Sequence, residues 1–161
     1  MRKQILSLFF AVGWLIMFSL GADAQKPRAS LSAAEVTGTF KQRFGGKFKG
    51  SSSDIKILSI GKGKLRVAFD LIYPFVDGTG ELSANVGEAD GEATIEGDTA
   101  VFKSSEYGEG GCRIEIKFVK PGIIRVNQVG DSIGCGFGFN VSADGTYRKT
   151  SSKKPKFGSE R

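Results

Sequence analysis

Apolar and polar residues alternate along several short stretches of the chain. Every second residue is apolar from Leu65 to Leu71, and the same two-residue period recurs from Cys112 to Phe118. This alternation is typical of a β-strand with one buried face. Segments rich in β-branched and aromatic residues predict further strands, at Val36–Gln42, Ile55–Ile60, Glu92–Glu96, Thr99–Lys103, Ile123–Val129, Phe137–Val141 and Thr146–Lys149.

Short turn sequences separate these segments. They are Gly61-Lys62-Gly63, Asp77-Gly78, Asp90-Gly91, Gly97-Asp98, Pro121-Gly122 and Asp144-Gly145. Connections of this length permit hairpins but no helical crossovers, so the strands are antiparallel. Eight or nine such strands bury their edges and apolar faces either by closing into a barrel or by stacking as two sheets in a sandwich. We predict an all-β fold, an antiparallel up-and-down barrel of about eight strands, with a β-sandwich as the alternative.

The two ends of the predicted domain are similar in sequence. Gly38-Thr39-Phe40-Lys41-Gln42 near the start matches Gly145-Thr146-Tyr147-Arg148-Lys149 near the end. The first and last strands of a barrel meet where it closes, so this likeness favours the barrel. We expect its interior to be filled by phenylalanines, at Phe69, Phe102, Phe118 and Phe139.

The chain begins with an export signal. Arg2 and Lys3 precede an apolar stretch, Ile5–Leu20, and Ala22-Asp23-Ala24 supplies the small-x-small cleavage pattern. The alternative is a membrane anchor, but the stretch is shorter than the roughly 20 residues of a span. The predicted organisation is a signal peptide at 1–24, an exposed leader at 25–34, a barrel domain at 35–149 and a basic disordered tail at 150–161. A secreted or periplasmic location follows from the signal.

Charge is distributed unevenly. The chain carries 23 basic and 17 acidic residues, a net charge of +6. Six basic residues and one acidic residue lie in residues 148–161. The region from Asp77 to Glu109 holds nine acidic residues and a single basic residue, Lys103. The tail residues Lys153, Lys154, Lys156 and Phe157 are therefore candidates for binding a partner, and a purely solubilising tail is the alternative. Nucleic acid is not expected as a partner of an exported protein.

The composition argues against catalysis. The chain has no histidine, which removes the commonest general base and the imidazole ligand of most zinc sites. The acids lack the short fixed offsets of a calcium loop. We expect no enzyme activity, no cofactor and no metal. Glycines flank Phe137, which predicts a bulge in a barrel strand, or a close approach of the backbone to a ligand as the alternative.

Two cysteines in an exported chain predict one disulfide, between Cys112 and Cys135. If a strand from Cys112 turns near Pro121-Gly122, antiparallel pairing places Cys112 opposite about Gly130. Cys135 lies only a few residues beyond that point. A redox or nucleophilic role is disfavoured because there is no Cys-x-x-Cys motif and no histidine base.

Three motifs near the end of the chain carry a resemblance. They are Cys112-x-Ile-x-Ile-x-Phe, Val126-x-Gln128 and Cys135-Gly-Phe-Gly-x-Asn140-Val141-x-x-x-Gly145-Thr-Tyr147-Arg148. This part of the chain, about 40 residues, resembles a group of small exported bacterial β domains, some of them lysozyme-inhibitor-like. The resemblance implies a disulfide-closed β domain outside the cytoplasm.

The sequence predicts a monomeric, non-enzymatic protein that binds a macromolecule, with a basic hydrolase such as lysozyme as the specific candidate. The acids between Asp77 and Glu109 would complement such a partner. The alternative is a carrier of a small apolar ligand in a lipocalin-like barrel. A barrel interior filled with side chains would oppose the carrier.

Overall fold

The computed structural model describes residues 31–105 and 111–158 as a closed eight-stranded barrel. Each strand pairs antiparallel with the next, and the last pairs with the first, which confirms the predicted all-β barrel. No helix among the described residues has the length and hydropathy of a membrane span. The elements are α1 (Ala33–Val36), β1 (Gly38–Arg43), β2 (Ser52–Gly61), β3 (Lys64–Val76), β4 (Leu82–Glu96), β5 (Thr99–Ser104), β6 (Cys112–Lys120), β7 (Ile123–Val129) and β8 (Gly145–Ser151).

The barrel closes between the two segments that look alike in sequence. In the β1–β8 register, Phe40 lies opposite Lys149 and Lys41 lies opposite Arg148. The prediction that the first and last strands meet is confirmed.

Two local predictions are wrong. The segment 137–141 is not a strand, because Gly136 (φ 73°) and Asn140 (φ 61°) adopt left-handed conformations that interrupt extended backbone. The predicted bulge at the glycines around Phe137 is wrong for the same reason, because there is no strand there to carry it. Asp90-Gly91 is not a turn either, since β4 runs through it and Gly91 lies opposite Val67 of β3.

Aromatic and branched side chains fill the barrel interior. Phe69 and Phe102 are buried and meet edge to face, with ring centroids 5.2 Å apart. Phe118 is also buried, as predicted, whereas Phe139 is 80% exposed and does not belong to the core. Phe137 packs there instead, its ring 6.5 Å from that of Phe69. Phe139 leaves the core because the loop that carries it turns at Asn140 rather than continuing as a strand.

The short helix α1 rests on one end of the barrel. Ser32 and Glu35 form a reciprocal capping box that starts the helix. Lys149 projects inward from β8, and its ammonium donates to the carbonyl oxygens of Ala34, Glu35 and Thr37 at 2.7–3.0 Å. Partial burial lowers the pKa of Lys149. Lys149 therefore fastens α1 to the barrel and does not contribute its charge to the tail.

The C-terminal segment stays close to the barrel. β8 continues to Ser151, two residues beyond the predicted domain end. Further on, the guanidinium of Arg66 lies 4.8 Å from the centroid of the Phe157 ring, a cation–π contact. The predicted signal peptide, most of the leader and residues 159–161 lie outside the described residues.

The disulfide joins the predicted pair, Cys112 and Cys135. Arg113 lies opposite Val129 in the β6–β7 register, which places Cys112 beside the end of β7 as expected. Both cysteines are buried. The bond therefore ties the long β7–β8 connection, residues 130–144, to the start of β6.

Removing the disulfide should destabilise the protein without changing its fold. The bond closes a loop with a sequence separation of 23 residues, and such a loop restricts the unfolded chain by about 3 kcal/mol. We expect urea unfolding of Cys112→Ser/Cys135→Ser to give a free energy lower by about that amount. An unfolding free energy equal to that of the oxidised wild type would contradict this role.

The Tyr147 phenol is buried and should make the fold sensitive to alkali. Its hydroxyl donates to the Ala143 carbonyl at 3.1 Å, and burial raises the pKa of Tyr147 above its ordinary value. The unfolded phenol ionises near pH 10, so stability falls above that pH by up to about 1.4 kcal/mol per pH unit from this group.

Tyr147→Phe should lose about 1 kcal/mol at pH 8 through the missing hydrogen bond, and this deficit should disappear by about pH 11. Urea unfolding at the two pH values measures both free energies. Tyr73→Phe, at a residue 42% exposed, is the control and should stay within about 0.5 kcal/mol of wild type throughout. A deficit that is the same at both pH values would refute the proposed ionisation effect.

Candidate functional site

The hairpin of β3 and β4 extends beyond the barrel. β3 has 13 residues and β4 has 15, whereas β5 has six. β2 pairs with β3 as far as Asp70, and β5 pairs with β4 only from Ala93 to Glu96. Beyond these limits β3 and β4 pair with each other up to Val76 and Leu82. We call residues 72–86 the arm.

One face of the arm is entirely apolar. Leu71 and Gly87 are buried toward the interior, so the even-numbered positions point to the outside of the sheet. Leu82 is 63% exposed and Val86 is 62% exposed. Across the two strands this outer face consists of three opposing pairs, Ile72 with Val86, Pro74 with Ala84 and Val76 with Leu82.

Carboxylates lie at both ends of the arm. Asp70 lies opposite Glu88 on the barrel side, and both are exposed. Asp77 and Glu81 stand at the tip. Residues 67–102 contain eight acids and no lysine or arginine. The arm therefore presents an apolar surface in a region of negative electrostatic potential.

The Asp77 carboxylate stabilises the turn at the tip of the arm. Asp77 accepts hydrogen bonds from the hydroxyl and backbone N–H of Thr79, at 2.7 and 2.9 Å, and from the Glu81 N–H at 2.9 Å. These bonds lower the pKa of Asp77, the bond from the Thr79 hydroxyl most and the one from the Glu81 N–H next. The carboxylate thus stays ionised, and its hydrogen bonds stabilise the turn between the two strands.

Other acids of this region pair with bases on the barrel wall. Lys64 reaches Glu92 at 2.8 Å, and Arg66 lies 3.7 Å from Asp90. Exposed pairs of this kind contribute little to stability. They do offset charge on the wall, so the uncompensated negative charge concentrates toward the arm.

The β4 edge of the arm is open over a short stretch. The Asp77 N–H donates to the Glu81 carbonyl, so odd-numbered residues of β4 bond to β3 and even-numbered residues direct their backbone groups away from it. The described residues supply one backbone bond to this edge, from the Gly138 N–H to the Val86 carbonyl at 3.0 Å. The backbone groups of Leu82 and Ala84 face outward without a described partner.

The β3 edge of the arm is protected. Ser53 is buried, accepts from the Ile72 N–H and donates to the Ile72 carbonyl. Two residues further, Pro74 has no N–H to offer, a common device on exposed edges. The two edges of the arm are therefore unequal: β4 directs the N–H groups of three residues outward, whereas on β3 beyond Ser53 only Val76 does so.

The β7–β8 connection supports the base of the arm. The Asn85 side-chain amide donates to the Phe139 carbonyl at 2.7 Å. An added Cβ on Gly138 would lie 2.6 Å from the Val86 carbonyl oxygen, and one on Gly87 would lie 2.8 Å from Val141. Glycine is thus required at both positions for close packing of the chain against itself, which differs from the predicted bulge and from the alternative of a backbone approach to a ligand.

The predicted site residues fall outside this arrangement. Cys112 and Cys135 form the disulfide, while Lys153, Lys154 and Lys156 are exposed on the C-terminal segment. Phe157 is engaged with Arg66 and is half-buried. The arm was missed because no strand was predicted at 82–91. A signal was present after Asp77-Gly78, since Leu82, Ala84 and Val86 alternate with the polar residues Ser83 and Asn85.

The described residues contain no cluster of three or more cysteine and carboxylate side chains placed to hold a metal. An open cavity of about 320 Å³ lies where β5 and β6 separate, lined by Lys103, Ser104, Ser105, Gly111, Cys112 and Arg113. The Arg113 guanidinium is bound by Glu115 at 2.8 Å.

Comparison of the chain with protein-family models, with curated proteins and with solved structures gives no match. The suspected resemblance to exported, partly lysozyme-inhibitor-like domains thus has no relative to be compared with. Function has to be inferred from the side chains and strand edges of this barrel.

Proposed function

We propose that this is an exported, non-enzymatic binding protein that engages a basic macromolecular partner through the outer face of the arm. The observation that carries the proposal is the apolar face of three residue pairs, which has the Asp70–Glu88 pair at one end and the acidic tip of the arm at the other. Apolar side chains on a protruding, partner-free surface lose water when a partner covers them. The carboxylates around them would select a positively charged surface.

The arm suits recognition in both energy and rate. Covering Leu82 and Val86 would remove from water two aliphatic side chains that are mostly exposed in the free protein, each worth about 1.5–3 kcal/mol when fully buried. Asp70, Glu88, Asp77 and Glu81 surround them, and charges at the rim speed encounter with a partner of opposite sign. Affinity would come from the apolar outer face of the arm, and selectivity for a basic partner would come from the nearby carboxylates.

The filled interior favours a macromolecular partner over a small ligand. Phe69, Phe102 and Phe118 occupy space that a lipocalin-like carrier would keep for its cargo. Export is supported by the N-terminal signal sequence and is compatible with the disulfide. Lysozyme is the specific partner we propose to test, because it is basic and lies outside the cytoplasm.

Replacing the apolar face should weaken binding of the partner. With lysozyme as the probe at low salt, we expect Leu82→Ser/Val86→Ser to bind at least about tenfold more weakly than wild type, as a loss of 1.4 kcal/mol or more implies. Isothermal titration calorimetry measures the affinity, and lysis of bacterial cell walls reports inhibition.

The control is Ile60→Ser/Val119→Ser, which changes two exposed aliphatic residues, 46% and 45% exposed, at the opposite end of the barrel. It should bind lysozyme like wild type. Unchanged lysozyme activity would remove lysozyme as the partner. Equal weakening by both double variants would remove the arm as the binding surface.

A further inference from the structure

We infer that the partner's contact segment binds as an additional antiparallel β-strand along the β4 edge of the arm, between Leu82 and Val86. This inference rests on the proposed function and names the mode of binding and the chemistry of the segment. The segment is an extended stretch of polypeptide with apolar side chains at alternate positions and lysine or arginine at its ends.

The backbone of β4 supplies the docking groups. Leu82 and Ala84 direct both N–H and C=O away from β3, and Val86 directs its N–H the same way, as the hairpin register requires. Main-chain hydrogen bonds to such an edge give affinity in strand addition, while alternate side chains give specificity. The Gly138 N–H already bonds the Val86 carbonyl, so the edge accepts a neighbouring backbone at this spacing and ends there.

Strand addition belongs to β4 and not to β3. Ser53 satisfies both backbone groups of Ile72, and Pro74 removes the next donor on that side. A partner strand on β4 has no comparable obstacle from Leu82 to Ala84 among residues 31–105 and 111–158.

The neighbouring side chains define the partner's sequence pattern. Residues opposite Leu82, Ala84 and Val86 would share the outer face, and apolar side chains there would extend the apolar surface. Beyond them, the exposed Glu88 at one end of the outer face and the negative charge of the tip at the other end favour basic residues. A second copy of this chain would bring the same acids together, so charge repulsion disfavours self-pairing.

A designed peptide tests the inference directly. The peptide KTVTVTK places lysine, valine, valine and lysine on one face, and ETVTVTE is the charge-reversed control. With ¹⁵N-labelled protein, we expect KTVTVTK to shift the amide resonances of Leu82, Ala84 and Val86, and ETVTVTE to bind at least about tenfold more weakly. Resonance shifts confined to another strand would overturn the inference.

Backbone methylation of the peptide distinguishes strand addition from simple surface contact. Residues whose side chains share the outer face must point their N–H groups at β4. Methylating the two valine nitrogens should therefore abolish binding, whereas methylating the three threonine nitrogens should leave it within about twofold. Equal effects from the two patterns would contradict strand addition, and this comparison leaves the protein unaltered.

Ala84→Pro tests the same edge from the protein side. The Ala84 N–H points away from β3, so proline there removes a docking donor without removing a β3–β4 bond. We expect this variant to lose KTVTVTK binding, while unchanged amide shifts of Phe75 and Gly87 verify an intact hairpin.

Lysozyme binding separates the two proposals. If Ala84→Pro binds lysozyme like wild type while Leu82→Ser/Val86→Ser does not, the arm is the binding surface and strand addition is wrong. If neither variant weakens lysozyme binding, the proposed function of the arm is wrong as well. Loss in both variants supports both proposals.

Discussion

Unequal strand length is the constraint on which the rest of this structure depends. A closed barrel satisfies the backbone of every strand only as far as both neighbours reach. Here β3 and β4 run well past β2 and β5, so the barrel cannot cover their ends. The excess emerges as a two-stranded arm, and the outer face and the open β4 edge are both consequences of that mismatch.

The long β7–β8 connection compensates for part of the mismatch. It places Phe137 and Val141 beside Gly87 of β4 and bonds Gly138 to the Val86 carbonyl, while the disulfide at Cys135 fixes its first half to β6. Support of this kind reaches the base of the arm and stops at Val86. The same loop therefore stabilises the barrel mouth and defines where the open edge begins.

Much of the fold was predictable from the two-residue period and the turn dipeptides, because both are local signals. The barrel followed from them, its closing strands from the likeness of Gly38–Gln42 to Gly145–Lys149, and the Cys112–Cys135 bond from the cysteine count and the hairpin pairing. The arm did not, since Asp90-Gly91 has the composition of a turn, yet β3 holds it extended by pairing along its whole length. The placement of Phe137 inside and Phe139 outside depended on left-handed residues in a loop, which periodicity alone does not reveal.

Amide hydrogen exchange along β4 tests the central claim most directly, because it reports which backbone groups are bonded. The account predicts that the amides of Ser83, Asn85 and Gly87, which face β3, exchange about a hundredfold more slowly than those of Leu82 and Ala84, which face the open edge. Equal protection at all five positions would show that the β4 edge is covered, and would contradict both the open edge and the strand-addition site built on it.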